Sequence, residues 1–360
     1  MKRILLASAS IVAFAGAAAA EVTFSGEAAL GYNDTDAVSE ADDDKGFYWD
    51  AELGITLTQE LDNGLVAAAT VTTDLVDNEL SDEPLFADGF VLSLTSETAG
   101  LYFGDTDQAA DLRWDGVSEM AQDGFSETDG ETVLRGDVTA YGLDLSMSAL
   151  VDDTTDGNIE GDDDTLDQYS FGAAGEFGAF QFSTAYQAEE RDFIEEASGD
   201  FNGDEIFGIS VGTAFAGADV DVAYARNLST EEDSTGIEAA YPIGPVTVGG
   251  FYVSESEGQD SYGVAVDYVS GALTVTTAYE DVQGDTDFAV EAGFDFGMGL
   301  MAYAGLTDHG DDYYVATTYE LAEGASLLVS YAKDDDNDSE DEIGDPEYQE
   351  GTTVEVNFEF

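Results

Sequence analysis

The side chains of this chain with the greatest capacity for chemistry are its carboxylates. Of 360 residues, 80 are Asp or Glu, against eight Lys or Arg and one His. Paired carboxylates can hydrolyse glycosides, but such pairs occur throughout this chain, so none of them marks a catalytic site. No nucleophile elbow, zinc-protease motif or phosphate loop is present, and His309 lies in an acidic stretch typical of a solvated loop. We therefore predict that the protein is not an enzyme.

Closely spaced carboxylates could instead hold a cation on a loop. Oxygen-rich loops suit hard ions such as Ca²⁺, and the candidate ligands are Asp162, Asp163, Asp164, Asp334, Asp336 and Asp338. The stretch with Asp334, Asp336 and Asp338 resembles an EF-hand loop, but Ser339 stands where such a loop needs glycine. Solvated acidic loops are the alternative interpretation, because runs of charge are usually no more than that. The prediction is limited to low-affinity Ca²⁺ binding, with no other cofactor.

The formal net charge of −72 restricts the partners of the protein. A nucleic-acid binder needs a basic surface to neutralise phosphates, so this class is excluded. A compact domain with this charge repels itself unless salt or divalent cations screen it, which favours a salt-rich setting. Disorder is excluded as well, because 21 Phe, 18 Tyr and 2 Trp supply material for a folded structure. The absence of cysteine excludes disulfides.

The first twenty residues have the pattern of a cleaved export signal. Lys2 and Arg3 precede an apolar segment from Ile4 to Phe14, and small residues at 16–20 fit a cleavage site before Glu21. The apolar segment is shorter than the roughly 20 residues that a membrane-spanning helix needs. We expect residues 1–20 to be a signal peptide, removed on export through the inner membrane, and residues 21–360 to form one domain.

The elements that must position the carboxylates are strands with two different faces. Apolar residues alternate with polar ones in about 20 segments. The first five segments are 22–33, 47–59, 65–75, 88–98 and 101–106, and the last five are 287–297, 299–306, 313–321, 326–334 and 352–360. Glycine turns join hairpins at 167–188, 205–227 and 261–282, and longer acidic loops separate the hairpins. Carboxylates on the polar face cost little if that face lines a wet lumen. The pattern therefore predicts a closed antiparallel transmembrane β-barrel.

The last seven residues agree with this prediction. In VEVNFEF at 354–360 the apolar residues fall on one face of a strand, and Phe360 ends the chain. An aromatic terminal residue on such a strand is typical of bacterial outer-membrane barrels. The alternative is a secreted or surface-layer acidic β-rich structural protein of a salt-adapted bacterium, with the same strands around a dry core.

The whole chain resembles a general bacterial (Gram-negative) porin, closest to the Rhodobacter-type porins of alphaproteobacteria. The resemblance is carried by the first 32 residues, by LYFGDTDQAADLRWDG at 101–116, by the hairpins with central Gly-Ala pairs and by the final NFEF. It implies a homotrimer of barrels, surrounded by outer-membrane lipid, with a water-filled channel for passive diffusion of ions and small hydrophilic solutes. Barrels of this family usually have sixteen strands, fewer than the segments counted here.

The resemblance also implies that the third loop, at 107–131, folds inward and constricts the channel. This loop mixes apolar residues with the charged residues that we expect at the constriction, namely Asp107, Asp111, Arg113, Asp115, Glu119, Asp123, Glu127 and Asp129. Family pores face such a loop with basic residues, whereas the early strands here offer Glu27, Asp50 and Glu52. Arg135 and Arg226 are the basic residues that we place on the lumen wall. The channel should therefore prefer cations, and Phe360 should be part of the assembly signal.

Overall fold

The computed structural model describes residues 9–10, 20–35, 46–77, 89–127, 131–151, 166–190, 201–307, 310–333, 342–343 and 348–360. Within these residues one helix, α1 (Ala109–Arg113), accompanies twenty strands of a single sheet. The strands are β1 (Glu21–Asn33), β2 (Gly46–Glu60), β3 (Val66–Asp77), β4 (Gly89–Thr95), β5 (Ala99–Gly104), β6 (Val133–Ala140), β7 (Leu143–Val151), β8 (Leu166–Phe177), β9 (Phe180–Gln187), β10 (Ile206–Phe215), β11 (Ala218–Asn227), β12 (Glu232–Ile243), β13 (Val246–Glu255), β14 (Ser261–Ser270), β15 (Leu273–Val282), β16 (Asp285–Gly297), β17 (Leu300–Thr307), β18 (Asp312–Ala322), β19 (Ala325–Lys333) and β20 (Gly351–Glu359).

Each strand pairs antiparallel with the next, and the first pairs with the last. β1 lies between β2 and β20, so that Glu27 is opposite both Glu52 and Glu359. This pairing closes the sheet into a barrel and leaves no free edge among the twenty strands. The closed antiparallel barrel and the three hairpins are confirmed, and the described residues contain twenty strands rather than the sixteen that the resemblance implied.

The two faces of the barrel differ as the alternation predicts. Phe171 on β8 and Ile209 on β10 are exposed on the outer face, whereas their neighbours Ser170 and Ser210 are buried on the inner face. The cross-strand register also places on the inner face the carboxylates Glu27, Glu52, Asp144, Glu176, Asp221, Asp267, Glu291, Asp295 and Glu355. Apolar side chains therefore face outward and polar ones face the lumen.

The two ends of the barrel have different connections. At one end the turns are short, such as 141–142 and 216–217, and glycine takes the positive φ that they need, 80° at Gly142 and 91° at Gly217. The opposite end carries the longer connections, of which the largest, 105–132, joins β5 to β6 and contains the third loop, 107–131. After β11 the connections at this end also become short, for example 228–231 and 283–284.

Three two-residue strands add to the barrel. Ala9–Ser10 pairs with Thr23 and Phe24 of β1, and Glu342–Ile343 pairs with Tyr348–Gln349 between β19 and β20. Across the described ranges no helix is long and apolar enough to cross a membrane.

Candidate functional site

The third loop lies against the inner faces of β7 to β13, on one side of the barrel. After Asp105 the chain forms the single turn of α1 and then runs along the wall to Glu127. Its side chains and backbone contact wall residues that are more than 100 positions away in the sequence, such as Glu238. Three kinds of wall residue, together with an apolar patch and Arg135, hold this loop.

The first kind is a row of serines on the inner face of neighbouring strands. A backbone N–H that leaves water needs an acceptor, and a hydroxyl supplies one without a charge. The loop donates to these hydroxyls through Ala109 N to Ser148 Oγ at 2.9 Å, Ala110 N to Ser170 Oγ at 3.0 Å, Arg113 Nε to Ser146 Oγ at 2.8 Å, Asp115 N to Ser183 Oγ at 3.1 Å and Gln122 N to Ser234 Oγ at 3.1 Å. The serine row thus fixes the path of the loop backbone.

The second kind is glycine, which leaves space in the wall for loop side chains. A Cβ atom at Gly208 would lie 2.5 Å from Cζ3 of Trp114, and one at Gly236 would lie 2.7 Å from Cβ of Val117. Gly172 gives room in the same way to Arg113, whose Cβ would be 2.6 Å away. No side chain larger than hydrogen fits at these three positions while the loop keeps its place.

Apolar residues on the underside of the loop fill these spaces. Val117 and Met120 pack on Ala223, Ala225 and Val253 of β11 and β13. Phe125 packs with Ala110 of α1 and with Ala185 and Ile206 of β9 and β10, and Trp114 touches both clusters. Burial of each such side chain contributes about 1.5–3 kcal/mol, which offsets part of the entropy lost in ordering the loop.

The third kind of wall residue is glutamate, which accepts hydrogen bonds from the loop. Oε2 of Glu238 accepts from the backbone N of Ser118 at 3.2 Å and from its Oγ at 2.8 Å. Oε1 of Glu255 accepts from the backbone N of Ala121 at 3.1 Å. Hydrogen bonds to ionised acceptors are stronger than neutral ones, so these two carboxylates hold the middle of the loop.

Arg135 on β6 holds the beginning of the loop. Its Nη1 donates to the backbone O of Asp107 at 2.6 Å, its Nε lies 3.3 Å from Oδ1 of Asp137, and its guanidinium stacks over Tyr102 at 4.9 Å. The sequence placed Arg135 on the lumen wall, and the register puts it on the inner face opposite Ser148. Its side chain is buried, however, and its charge is paired with carboxylates.

The surroundings of two loop carboxyls raise their pKa values strongly. Burial raises the pKa of Asp111 to about 6, and the nearby charges of Glu127 and Asp107 add to this effect. Burial also raises the pKa of Asp123 to about 6, although a hydrogen bond from Nε1 of Trp114, at 2.9 Å, acts in the opposite direction. Both groups therefore titrate near pH 6.

The other charged residues predicted for the constriction have different surroundings. The side chain of Asp107 is 60% exposed, Asp115 is exposed, and Glu119 adopts a positive φ of 59° at a bend of the loop. Glu127 is exposed at the end of the described stretch, and Asp129 lies outside the described residues. The loop thus turns its apolar side to the wall and several carboxylates to the lumen.

The predicted wall carboxylates lie together at the end of the barrel with short turns. Glu27, Asp50 and Glu52, with Glu320 and Glu359, line a cavity of about 830 Å³ beside the junction of β1 and β20. Like charges on directly paired residues repel, so the pairing of Glu27 with Glu52 and Glu359 makes this junction a strongly negative part of the inner face. These three predicted residues are therefore brought together on the inner face.

The placement of Arg226 on the lumen wall is wrong. In the register of β10 and β11 this residue is opposite Phe207, and Phe207 is exposed on the outer face. Arg226 therefore shares the outer face with Val222 and Tyr224, near the end of β11. The alternation contains this information, because position 226 has the parity of Val222 rather than that of Asp221.

Phe360 continues the outer apolar face at the short-turn end. Its backbone N donates to the O of Gly26 at 2.8 Å, and its O accepts from the N of Gly26 at 3.3 Å. Its ring is 62% exposed and lies beside Phe24 and Leu75 of β1 and β3. The terminal residue thus takes part in the closing seam of the barrel.

The proposed calcium ligands Asp162, Asp163, Asp164, Asp334, Asp336 and Asp338 lie outside the described residues, as does His309. In the part of the chain that the structure does describe, no group of three or more His, Cys, Asp or Glu side chains could hold a metal ion.

Sequence reasoning missed the serine and glycine seat of the third loop. A signal for it exists, because most inner positions of β8 to β10 carry Ser, Gly, Ala or Gln where other strands carry Asp or Glu, with Glu176 at the short-turn end as the exception among the acidic residues. Small and uncharged inner residues on neighbouring strands indicate that something packs there.

Comparison with known proteins identifies the group to which this architecture is similar. The sequence profile of a family described as Gram-negative porin matches residues 7–339. A mutant of the Rhodopseudomonas blastica porin superposes with a TM-score of 0.50 and 15% identity, covering 94% of this chain and 100% of that one. A triple mutant of the same porin superposes with a TM-score of 0.47 and 13% identity, and the coverage of both chains is the same. No curated protein matches the chain significantly.

Proposed function

The chain belongs to the Gram-negative porin family, whose members form channels in the outer membrane, and from this premise we propose that it is a cation-preferring channel for passive diffusion of ions and small hydrophilic solutes. Family membership favours this function over that of a surface-layer structural protein. We further propose that residues 1–20 are removed on export and that three barrels associate in the membrane.

The observation that carries the cation preference is the imbalance of charge on the inner wall. Among the described strands, carboxylates line the inner face from β11 to β18, as at Asp221, Asp267 and Glu291, and again at the β20–β1–β2 junction. The one basic side chain on that face within the described strands is Arg135, which is buried and paired. Carboxylates inside a low-dielectric wall concentrate cations and repel anions.

The constriction residues on the third loop support the same preference. Asp107 and Asp115 are accessible from the lumen side of the loop, whereas Arg113 donates to Ser146 of the wall. The narrow part of the channel would therefore present more negative than positive charge to a passing ion. Neutral hydrophilic solutes would pass according to size.

The test is the reversal potential of the purified protein in a planar bilayer under a KCl gradient. We expect cation selectivity that weakens at high salt, because screening shortens the range of the wall charges. The variant Glu27→Gln with Glu52→Gln should reduce the selectivity, and Glu97→Gln, in an exposed short turn, should leave it unchanged. An anion-selective or non-selective channel at low salt would refute the proposal. Migration of the unheated protein in mild detergent tests the trimer.

A further inference from the structure

A second segment of the chain reaches the inner wall, far from the third loop. Tyr348 precedes β20 in the connection from β19, at the end of the barrel where connections are long. A tyrosine in such a connection would normally be in contact with water, yet this side chain is only 3% exposed. Something in the barrel must therefore cover it.

The residues that cover Tyr348 face the lumen. It packs in one cluster with Tyr314 and Ala316 of β18 and Ala332 of β19. On β18 the alternate residue Val315 is 57% exposed on the outer face, so Tyr314 and Ala316 are on the inner face. Tyr348 therefore enters the barrel.

Small wall residues accommodate this side chain, as other small residues accommodate the third loop. The small residues Ala316 and Ala332 leave room beside the ring, and a Cβ atom at Gly305 would collide with the ring of Tyr314. The rings of Tyr314 and Tyr348 lie 4.8 Å apart at 37°. The hydroxyl of Tyr314 donates to Oε1 of Glu291 at 2.8 Å, so the tilted ring pair also positions a wall carboxylate.

The chain on the far side of Tyr348 is fixed to the barrel. The O of Glu350 accepts from Nδ2 of Asn33 at 2.8 Å and from Oγ1 of Thr35 at 2.9 Å, and the N of Thr352 donates to Oδ1 of Asp34 at 2.6 Å. On the near side, the backbone of Tyr348–Gln349 pairs with Glu342–Ile343. Hydrogen bonds thus hold the segment in place on both sides of the ring.

In the closed ring of strands, β18 lies nearly half-way round from β10, the middle of the third-loop seat. We propose that the segment that carries Tyr348 forms a second inward-reaching element, which bounds the passage opposite the third loop and helps to set the size of neutral solute that can pass. This inference rests on the proposed channel function. It assigns a specificity-determining role to a segment that belongs to neither the third loop nor the barrel strands.

The experiment compares Tyr348→Ala with the matched control Tyr348→Phe, which keeps the ring. Single-channel conductance is measured in planar bilayers, and liposome swelling is measured with neutral sugars of increasing size. We expect the Ala variant to have a higher conductance and to admit larger sugars, while the Phe variant behaves like the wild type. An Ala variant that conducts and excludes sugars as the wild type does would overturn the inference.

A second measurement does not depend on assembly of the Ala variant. Because the chain has no cysteine, Gln349→Cys can be modified with a bulky thiol reagent during recording, with Glu257→Cys in an exposed connection as the control. Modification should lower the conductance at position 349 only, and equal effects at both positions would contradict a lumen location. A wild-type protein without any channel would overturn the proposed function itself, whereas a conducting wild type with these negative results would overturn this inference alone.

Discussion

Substitution of the wall glycines under the third loop, Gly208 and Gly236, by a larger residue should release the loop from the wall. In Gly208→Ala the new methyl group would meet the ring of Trp114 at 2.5 Å, and in Gly236→Ala it would meet Val117 at 2.7 Å. Neither contact can be relieved without moving the loop, because the ring is rigid and Val117 is buried against β11 and β13. Overpacking of this kind costs about 1–3 kcal/mol at each site.

The expected size of the effect follows from these costs. A penalty of about 2 kcal/mol lowers the ratio of docked to undocked loop about 30-fold. The two substitutions act on neighbouring parts of one loop, so their costs need not add. In single-channel recordings we expect a larger and noisier conductance, with frequent transitions between levels, and in solution we expect trypsin to cut after Arg113.

The control for this experiment is Gly249→Ala, another inner-wall glycine. A Cβ atom there would be 3.7 Å from the nearest atom, the O of Ala239, which is an ordinary contact. This variant should conduct like the wild type and resist cleavage at Arg113. The reasoning is refuted if Gly208→Ala and Gly236→Ala assemble, keep the wild-type conductance and protect Arg113 as well as the control does.

Four further predictions concern charge and the closing seam. Because the pKa values of Asp111 and Asp123 are raised from 3.8 to about 6, cation selectivity should rise between about pH 5 and pH 7, and substitution of both by Asn should flatten that rise in reversal potentials. The same pKa shifts favour the protonated carboxyls and therefore the docked loop. The docking stability that they supply is complete below pH 3.8 and is lost as the pH rises through about 6. Thiol labelling of Val117→Cys should increase over this pH range, and labelling that does not change with pH would contradict the prediction. Asn33→Ala, which removes a fully buried amide with two acceptors near β20, should cost about 1–3 kcal/mol in thermal unfolding in detergent. Deletion of Phe360 should reduce the yield in the outer membrane, and a normal yield would count against a role in assembly.

Much of the barrel could be predicted because its signal is local. A strand with one face in lipid and the other in water must alternate apolar and polar residues, so the sequence of each strand shows both its length and its orientation. The hairpin at 205–227 was predicted in this way and became β10 and β11. The same parity also identifies Arg226 as an outer residue, and its assignment to the lumen departed from the pattern rather than following it.

The sequence by itself therefore determined the closed two-faced barrel, the carboxylate-rich lumen and the long connection after β5. Only the tertiary structure decided which wall residues hold that connection, that Arg135 is buried beneath it, and that Tyr348 packs on the opposite wall. These features depend on side chains that are distant in the sequence, such as Trp114 over Gly208 or Tyr348 over Ala332. No period in the sequence joins such partners, because their approach is fixed by the register of strands around the closed ring and by the space that small wall residues leave.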